Sequence, residues 1–525
     1  MTDMQIDVAI VGGGLAGSLL AHQLSRANPG RRISVFEKKT AFAHNVGESI
    51  VELGSHYLIR RLGLSSYLYE RHFPKNGLRF FFDSEGRDAP LEAMSEIGSS
   101  SLPFHPAFQI DRSRLEHDLL EVGAKAGVEV RRGVDVEKIE VGTAGEPHRL
   151  LVSGPDGSRS YEARWLVDAS GRQRILARQL GLHVDETILD NASVFGWFRG
   201  VSDVDQMGPE SFRSRVRYTP RRLSTMHFAY RGYWIWFIPL QEGVTSVGVV
   251  CDKRFFDPRI ATPDAFFAWL RQHKAVATLL ENAEPIGARG LDHLAYGTRR
   301  FVSPDRWGLV GEAAAFPDPF YSPGTDFIAL ENDFVADLIA RDLGGEAKPA
   351  LDERAEIYEQ FLQFRVEAAL RLYRNLYPVI GSYEVCKLKW DFDLGCYYAL
   401  WVAPYMLDRH LDLRYLKTQL SQRERVLSAL ANFASFFLQI EKHLTERGAY
   451  HRRNLGEYSD GRDRIGFLEQ VGQQYSEREA IVRVQEIFNG IHRQGLALLD
   501  AATPATPPED RSLAWFATAR SLVDG

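Results

Sequence analysis

Cysteine is scarce in this chain. Its 525 residues hold three, Cys251, Cys386 and Cys396, and no two form a CxxC pair. That argues against a disulfide scaffold and a thiolate zinc site, and it fits a reducing compartment. A cytoplasmic protein without a metal site is therefore expected. Basic tracts are also missing. With 63 Lys and Arg against 69 Asp and Glu the net charge is -6, so nothing suggests a nucleic-acid partner. No run of about 18 uninterrupted apolar residues occurs, so no spanning helix is expected. The opening MTDMQIDVAIV lacks the basic and apolar regions of a signal peptide. The most apolar helical piece, YYALWVAPYML (397–407), reads as a buried helix. No repeat of fixed period is present.

What is present begins with DVAIVGGGLAGSLLAHQLSRA, a strand, a glycine turn and a helix, followed by a second strand, RRISVFEKK. Gly12, Gly14 and Gly17 form G-x-G-x-x-G, with Ala16 in the same turn. The first glycine allows a tight turn, the second a close approach of backbone to a pyrophosphate, and the third close helix–strand packing. Glu37 follows 20 residues after Gly17, where a carboxylate can accept the two hydroxyls of an adenosine ribose. The spacing predicts a dinucleotide site.

Further along, QIDRSRLEHDLLEVGAKAG reads as a helix entered after Asp111. Residues 193–250 turn strand-rich and include YWIWFIPL (233–240), in which Trp234 and Trp236 share one strand face. Segments with helical spacing dominate beyond about residue 343. The predicted division is a discontinuous nucleotide domain (1–190 and 300–345), an inserted β-rich substrate domain (191–299), a helical region (346–502) and a proline-broken tail (503–525).

Several motifs together carry a family resemblance. LVDASG (166–171) and GLVGEAAAFPDP (308–319) resemble the segments that return the chain to FAD, the second with Gly311 and with Glu312 where an aspartate is usual. Arg114 in DRSRLEHDLL resembles the arginine-bearing helix of the same group. These pieces are similar to the p-hydroxybenzoate-hydroxylase-like FAD superfamily. The expected fold is thus α/β, an FAD-binding Rossmann-like domain of the GR2/PHBH type with an inserted mixed sheet and a helical C-terminal region. Within that group, Trp234, Trp236, Ile238 and Pro239 spell the W-x-W-x-I-P signature of flavin-dependent halogenases of the tryptophan-halogenase type. NVGESIV, bearing Glu48, FPKNGLRFFF, bearing Lys75, and FPDPFYSPG (316–324) resemble further family segments.

The resemblance implies an activity. Reduced FAD, delivered by a separate flavin reductase since no second glycine fingerprint follows, would oxidise chloride or bromide with O₂ to hypohalous acid. Lys75 would pass the halogen to an electron-rich aromatic substrate, free or tethered to a carrier protein, past a wall made by Trp234 and Trp236. Halide would bind backbone N–H groups of the loop after Ser322, where Pro323 removes one donor and leaves Gly324 and Thr325. Asp326 would oppose the anion. Tyr321 stands where tryptophan-specific members carry an acid, which argues against free tryptophan as substrate. The alternative is a halogenase-like FAD monooxygenase or oxidase that uses no halide. A monomer or homodimer is expected. In the helical region Trp390, Phe392, Tyr397, Tyr398, Trp401 and Tyr405 either pack as core or line the substrate's space.

Overall fold

The computed structural model describes residues 4–143, 145–255, 260, 262–462 and 464–499. The expected tail, 503–525, lies outside them. Strand Met4–Val11 reads as a central parallel strand because both its faces are apolar: Ile6, Val8, Ala9, Ile10 and Val11 are all buried. It pairs in parallel with Ile33–Glu37 on one side and Gly157–Asp168 on the other. The sheet continues outward to Glu129–Arg132 at one edge and to Trp307–Leu309 and Val302–Ser303 at the other. Helix Leu15–Ala27 covers one face with Leu19, Leu20 and Leu24. In register, Val11 lies beside Phe36 and Asp168, and Asp168 beside Leu309. The carboxyl ends of four strands therefore stop together, where open α/β sheets leave room for a ligand.

A second eight-stranded sheet is largely antiparallel. It contains the expected strands Asn191–Arg199, Thr225–Tyr230, Tyr233–Pro239 and Val244–Asp252, and adds Glu284–Leu291 at its edge. It also recruits Leu78–Phe82, Ser95–Gly98 and Tyr458–Ser459, so it reaches well beyond 191–299. Leu78–Phe82 joins by a parallel pairing to Thr225–Tyr230, a long-range register that no local pattern announces. Strand Tyr233–Pro239 separates two cores. Trp234, Trp236 and Ile238 face the nucleotide-binding side, and Ile235 and Phe237 pack under the helices Pro263–Leu270 and Lys274–Leu279.

The last third is helical, with Lys348–Arg371, Tyr383–Tyr397, Leu413–Ser421, Arg423–Glu446 and Glu477–Leu498 as its main members. The last opens on a capping box, in which Ser476 and Glu479 satisfy each other's backbone N–H groups. Helix Tyr383–Tyr397 runs on into a π-helical turn, Tyr398–Val402. Such turns insert an extra residue and often mark functional positions. Among the described residues no helix is long and apolar enough to cross a membrane.

Candidate active site

The converging strand ends open into a cavity of about 470 Å³ lined by Gly12, Gly14, Ala16, Glu37, Gly311 and Glu312, among others. Helix Leu15–Ala27 points its N-terminus at it. The first bond of this turn runs from Ser18 N–H to Gly14 O, so the N–H groups of the residues between are unused within the helix. Gly12 has φ +104, and a Cβ there would lie 2.4 Å from the Ala169 carbonyl oxygen. A Cβ at Gly17 would lie 2.0 Å from the Gly12 oxygen, whereas one at Gly14 would meet nothing within 4 Å. Two glycines thus close the turn, and the third borders open space of the kind a pyrophosphate fills. The Glu37 carboxylate accepts from Gly13 N–H at 2.7 Å and Lys39 N–H at 2.8 Å, which fixes it at the cavity wall with lone pairs to spare.

Glu48 also lines the cavity. One of its oxygens accepts from Trp197 Nε1 at 2.7 Å, the other has no partner, and burial pushes its carboxyl up to about 7. Gly311 holds φ +61 against Ala16. Glu312 is not a free acceptor, since Arg172 pairs with it at 3.2 Å.

Arg114 needs correction. It does not line the cavity; it pairs with Glu242 and donates to the Arg71 carbonyl. Residues two apart on a helix point to nearly opposite sides, and the one that reaches the cavity is Arg112. Asp111 caps this helix, and Arg112 donates to Glu116 and to the Val46 carbonyl, with guanidinium N–H groups left over. Arg112→Met is expected to weaken FAD binding about tenfold or more, the loss of one charge-assisted hydrogen bond, and Arg114→Met to leave it unchanged. Fluorescence titration of apoprotein with FAD measures both.

Trp234 and Trp236 do share one face, with ring centroids 5.6 Å apart, and both line this cavity. Trp234 Nε1 donates to the Tyr377 hydroxyl and Trp236 Nε1 to Ser246 Oγ, each at 3.2 Å. Gly248, opposite Trp236, has no side chain because the indole occupies the space: a Cβ there would lie 2.3 Å from the ring.

A second cavity lies behind the first. It is apolar, of about 140 Å³, and includes Lys75, Tyr321, Trp390, Tyr397, Tyr398 and Trp401 in its lining. Of the six aromatics in question, Tyr405 also lines it, and Phe392 does not; Phe392 stacks on Phe433 at 4.3 Å instead. The helical region therefore supplies both core and lining. Trp234 and Trp236 do not reach this second cavity.

Lys75 is only 1% exposed although Pro74, Asn76 and Gly77 flank it like turn residues. Its Nζ donates to Ser49 Oγ at 2.7 Å, and burial lowers its amine to about 8. Ser49 lines the nucleotide cavity. It meets Ser322 Oγ at 3.0 Å and Thr225 Oγ1 at 2.8 Å, and Thr225 donates onward to Gln109. A cluster of hydroxyls thus connects the two cavities through Lys75. Ser49, Ser322 and Thr225 carry no motif signal as single residues, although GESI and FYSPG contain the two serines.

The loop at 321–327 forms the rest of the partition. Ser322, Gly324 and Thr325 line the nucleotide cavity, and Tyr321, Pro323 and Asp326 line the second. Ser322 is held at φ +59, a strained conformation for serine of the sort found at functional loops. Helix Gly324–Leu343 starts here, so the backbone N–H groups of Gly324 and Thr325 belong to a free helix N-terminus. Asp326 does not face the nucleotide side as an opposing charge. Its oxygens accept from Gly54 N–H at 2.8 Å and the Tyr397 hydroxyl at 3.0 Å, and burial raises its carboxyl to about 7.

Comparison with known proteins agrees with this geometry. A family model described as an FAD binding domain matches residues 5–261. The flavin-dependent halogenase chlA of Dictyostelium discoideum is 26% identical over 437 residues, 77% of this chain and 71% of its own. The 1H-pyrrole-2-carbonyl peptidyl-carrier-protein chlorinase of Pseudomonas fluorescens is 29% identical, covering 64% of this chain and 76% of its own. The tetracycline 7-halogenase of Kitasatospora aureofaciens is 30% identical over 61% of each.

The chain is similar to flavin-dependent halogenases.

It is an FAD-dependent enzyme of the oxidoreductase type, and the glycine-lined cavity fits that cofactor. The likeness of fold to solved structures extends through the helical third. Halogenase PltM in complex with phloroglucinol and FAD superposes with TM-score 0.67 at 17% identity over 93% of this chain and 96% of that one. The flavin-dependent brominase Bmp2 superposes with TM-score 0.58 at 24% identity over 71% of this chain and 87% of that one.

Proposed function

We propose that this chain installs chlorine or bromine on an electron-rich aromatic ring, using FADH₂ from a separate flavin reductase, with Lys75 delivering the halogen. Reduced FAD, when bound, would supply two electrons to O₂, and the peroxide-level oxygen so formed would be the oxidant that converts halide to hypohalous acid. The net change balances as FADH₂, O₂, halide, one proton and the arene giving FAD, the haloarene and two waters. The chain's own residues do the rest. Gly324 and Thr325 N–H groups at the helix N-terminus hold halide. Trp234 and Trp236 wall the cofactor's side. The Lys75 amine receives the hypohalous acid and presents electrophilic halogen to the ring in the aromatic cavity. Asp326, with its carboxyl near neutral, is suited to taking the ring's proton as aromaticity returns.

The observation that carries this reading is the position of Lys75: a buried, desolvated amine that lines the aromatic cavity and bonds to a serine of the nucleotide cavity. Burial without an ion-pair partner costs stability, so an amine kept there points to chemistry. The substrate is a small aromatic molecule, free or carrier-tethered.

The test is a reductase-coupled assay with electron-rich phenols and pyrroles, titrating chloride and bromide and reading products by mass spectrometry. Halogenated product is expected. Because Pro323 removes one N–H from the halide loop, half-saturation should need about ten- to a hundredfold more chloride than a loop retaining that donor, with bromide, more easily desolvated, preferred. Pro323→Ala is expected to lower the chloride requirement. An oxygenated product without halogen at every halide level would reject this reading in favour of a monooxygenase.

A further inference from the structure

The aromatic cavity contains a cation that the halogen chemistry does not use. Arg365, on helix Lys348–Arg371, lines the cavity and is 3% exposed. Its guanidinium lies 4.2 Å from the Trp401 ring centroid and 5.4 Å from that of Phe361. Among the described residues no carboxylate and no carbonyl accepts from it, and its Nε is buried with no partner. The acids of the same cavity are otherwise engaged. Asp326 accepts from Gly54 and Tyr397, Asp393 from Tyr321 at 2.6 Å and from Lys389, and Glu469 pairs with Arg462. Glu52 faces the Tyr398 hydroxyl.

A buried guanidinium without an anion is expensive, since ring faces replace only part of its lost hydration. The cost is visible in its titration, which burial pulls down to about 9. Removal from water is tolerated in native proteins where an opposite charge completes the site, and the planar fork of arginine matches a carboxylate or phenolate oxygen. Trp401 belongs to the π-helical turn Tyr398–Val402, which sets its ring against the guanidinium and fixes the direction of the fork.

We infer that Arg365 is a substrate-binding residue and that the substrate of this cavity carries an anionic oxygen on or next to its aromatic ring, which the guanidinium receives. This deepens the halogenase reading and rests on it only in placing the substrate in this cavity. A carboxylate engaged as a carrier thioester has no anion to offer. Arg365 therefore favours a free aromatic acid, or a phenol bound as phenolate.

Binding to the full-length protein carrying oxidised FAD, with no reductant and no halide, tests this separately from turnover. Calorimetry would compare two matched pairs: 4-hydroxybenzoate against 4-hydroxybenzamide, and 4-nitrophenol, ionised at pH 8, against 4-nitroanisole. The anion of at least one pair is expected to bind about tenfold or more tightly than its neutral partner. Arg365→Met should erase that preference and leave the neutral compound's affinity within about threefold, because the stem packing is retained. Arg365→Lys, which keeps the charge but not the fork, should keep part of it. A preference in the first pair identifies a carboxylate site, and in the second pair alone a phenolate site. Equal binding within both pairs in the unaltered protein, or a preference that survives in Arg365→Met, would overturn the inference and leave Arg365 as a packing strut under Trp401. Neither result would touch the halogenase reading, which the product assay decides.

Discussion

Replacing Lys75 with methionine is expected to abolish halogenated product and raise thermal stability together. The two effects have one cause. Lys75 is fully buried, its amine is lowered from 10.5 to about 8 by desolvation, and only the more distant Glu52 and Asp326 charges favour the ammonium form. A shift of that size corresponds to about 3 kcal/mol of native-state penalty wherever the unfolded chain is protonated. The sign is fixed by linkage. Below about pH 8 the amine is charged in both states and the whole penalty is present. Between about 8 and 10.5 folding expels a proton, so stability of the unaltered protein rises with pH across this window. Methionine fills much the same space without the charge. Its gain should therefore be full at pH 7, about 3 °C in melting temperature for a chain of this length, and should shrink as pH rises above 8. Ser49 keeps Thr225 and Ser322 as partners, so no polar atom is orphaned. Halogenated product should fall by about a hundredfold or more, with FADH₂ oxidation continuing, because the delivery step alone is missing. Scanning calorimetry at pH 7 and pH 9.5 and the coupled assay read the two effects. A destabilised variant that still halogenates would show Lys75 to be structural.

How legible such a site is depends on how local its signal is. The glycine turn and Glu37 are legible because a pyrophosphate constrains residues close in sequence, and the structure brings them to one cavity wall. The shared face of Trp234 and Trp236 follows from the two-residue period of a strand. Which side that face looks to does not, because both faces of Tyr233–Pro239 are buried. Arg112 is missed for Arg114 because resemblance places an arginine on a helix without fixing its angle around the axis, and one step of two residues reverses it. Ser49 and Arg365 are invisible for a different reason. Ser49 matters through Lys75, 26 residues away, and Arg365 because, among the described residues, no acid is hydrogen-bonded to it. Neither relation, a hydroxyl under a distant lysine or a guanidinium that no acid bonds, leaves a pattern along the chain. The second sheet exceeds its expected bounds for the same reason: Leu78–Phe82 finds its partner nearly 150 residues later.

Gly17 and Gly14 of the nucleotide turn should respond to valine in two distinct ways. At Gly17 the new Cβ would stand 2.0 Å from the Gly12 carbonyl oxygen and 3.1 Å from the Ala169 Cβ. Backbone, not a flexible side chain, would have to move, and the helix would lift from the strand it packs on. Gly17→Val should therefore lose about 3 kcal/mol or more and be recovered as misfolded protein. At Gly14 the backbone has φ -68 and ψ -167, an extended conformation open to any residue, and a Cβ meets nothing. Gly14→Val should fold as well as the unaltered chain, or slightly better, since valine restricts the unfolded state. Its methyl groups would project into the cavity in front of the free N–H groups of the helix, where they would exclude a pyrophosphate from the donors that hold it. Purified Gly14→Val should then show a native far-ultraviolet spectrum and no flavin absorbance, with FAD affinity down by at least about a hundredfold, as expected when several charge-assisted hydrogen bonds go at once. Stoichiometric FAD in the Gly14→Val protein would mean that the cofactor's phosphates lie elsewhere in the cavity, and that the turn serves only to join strand to helix.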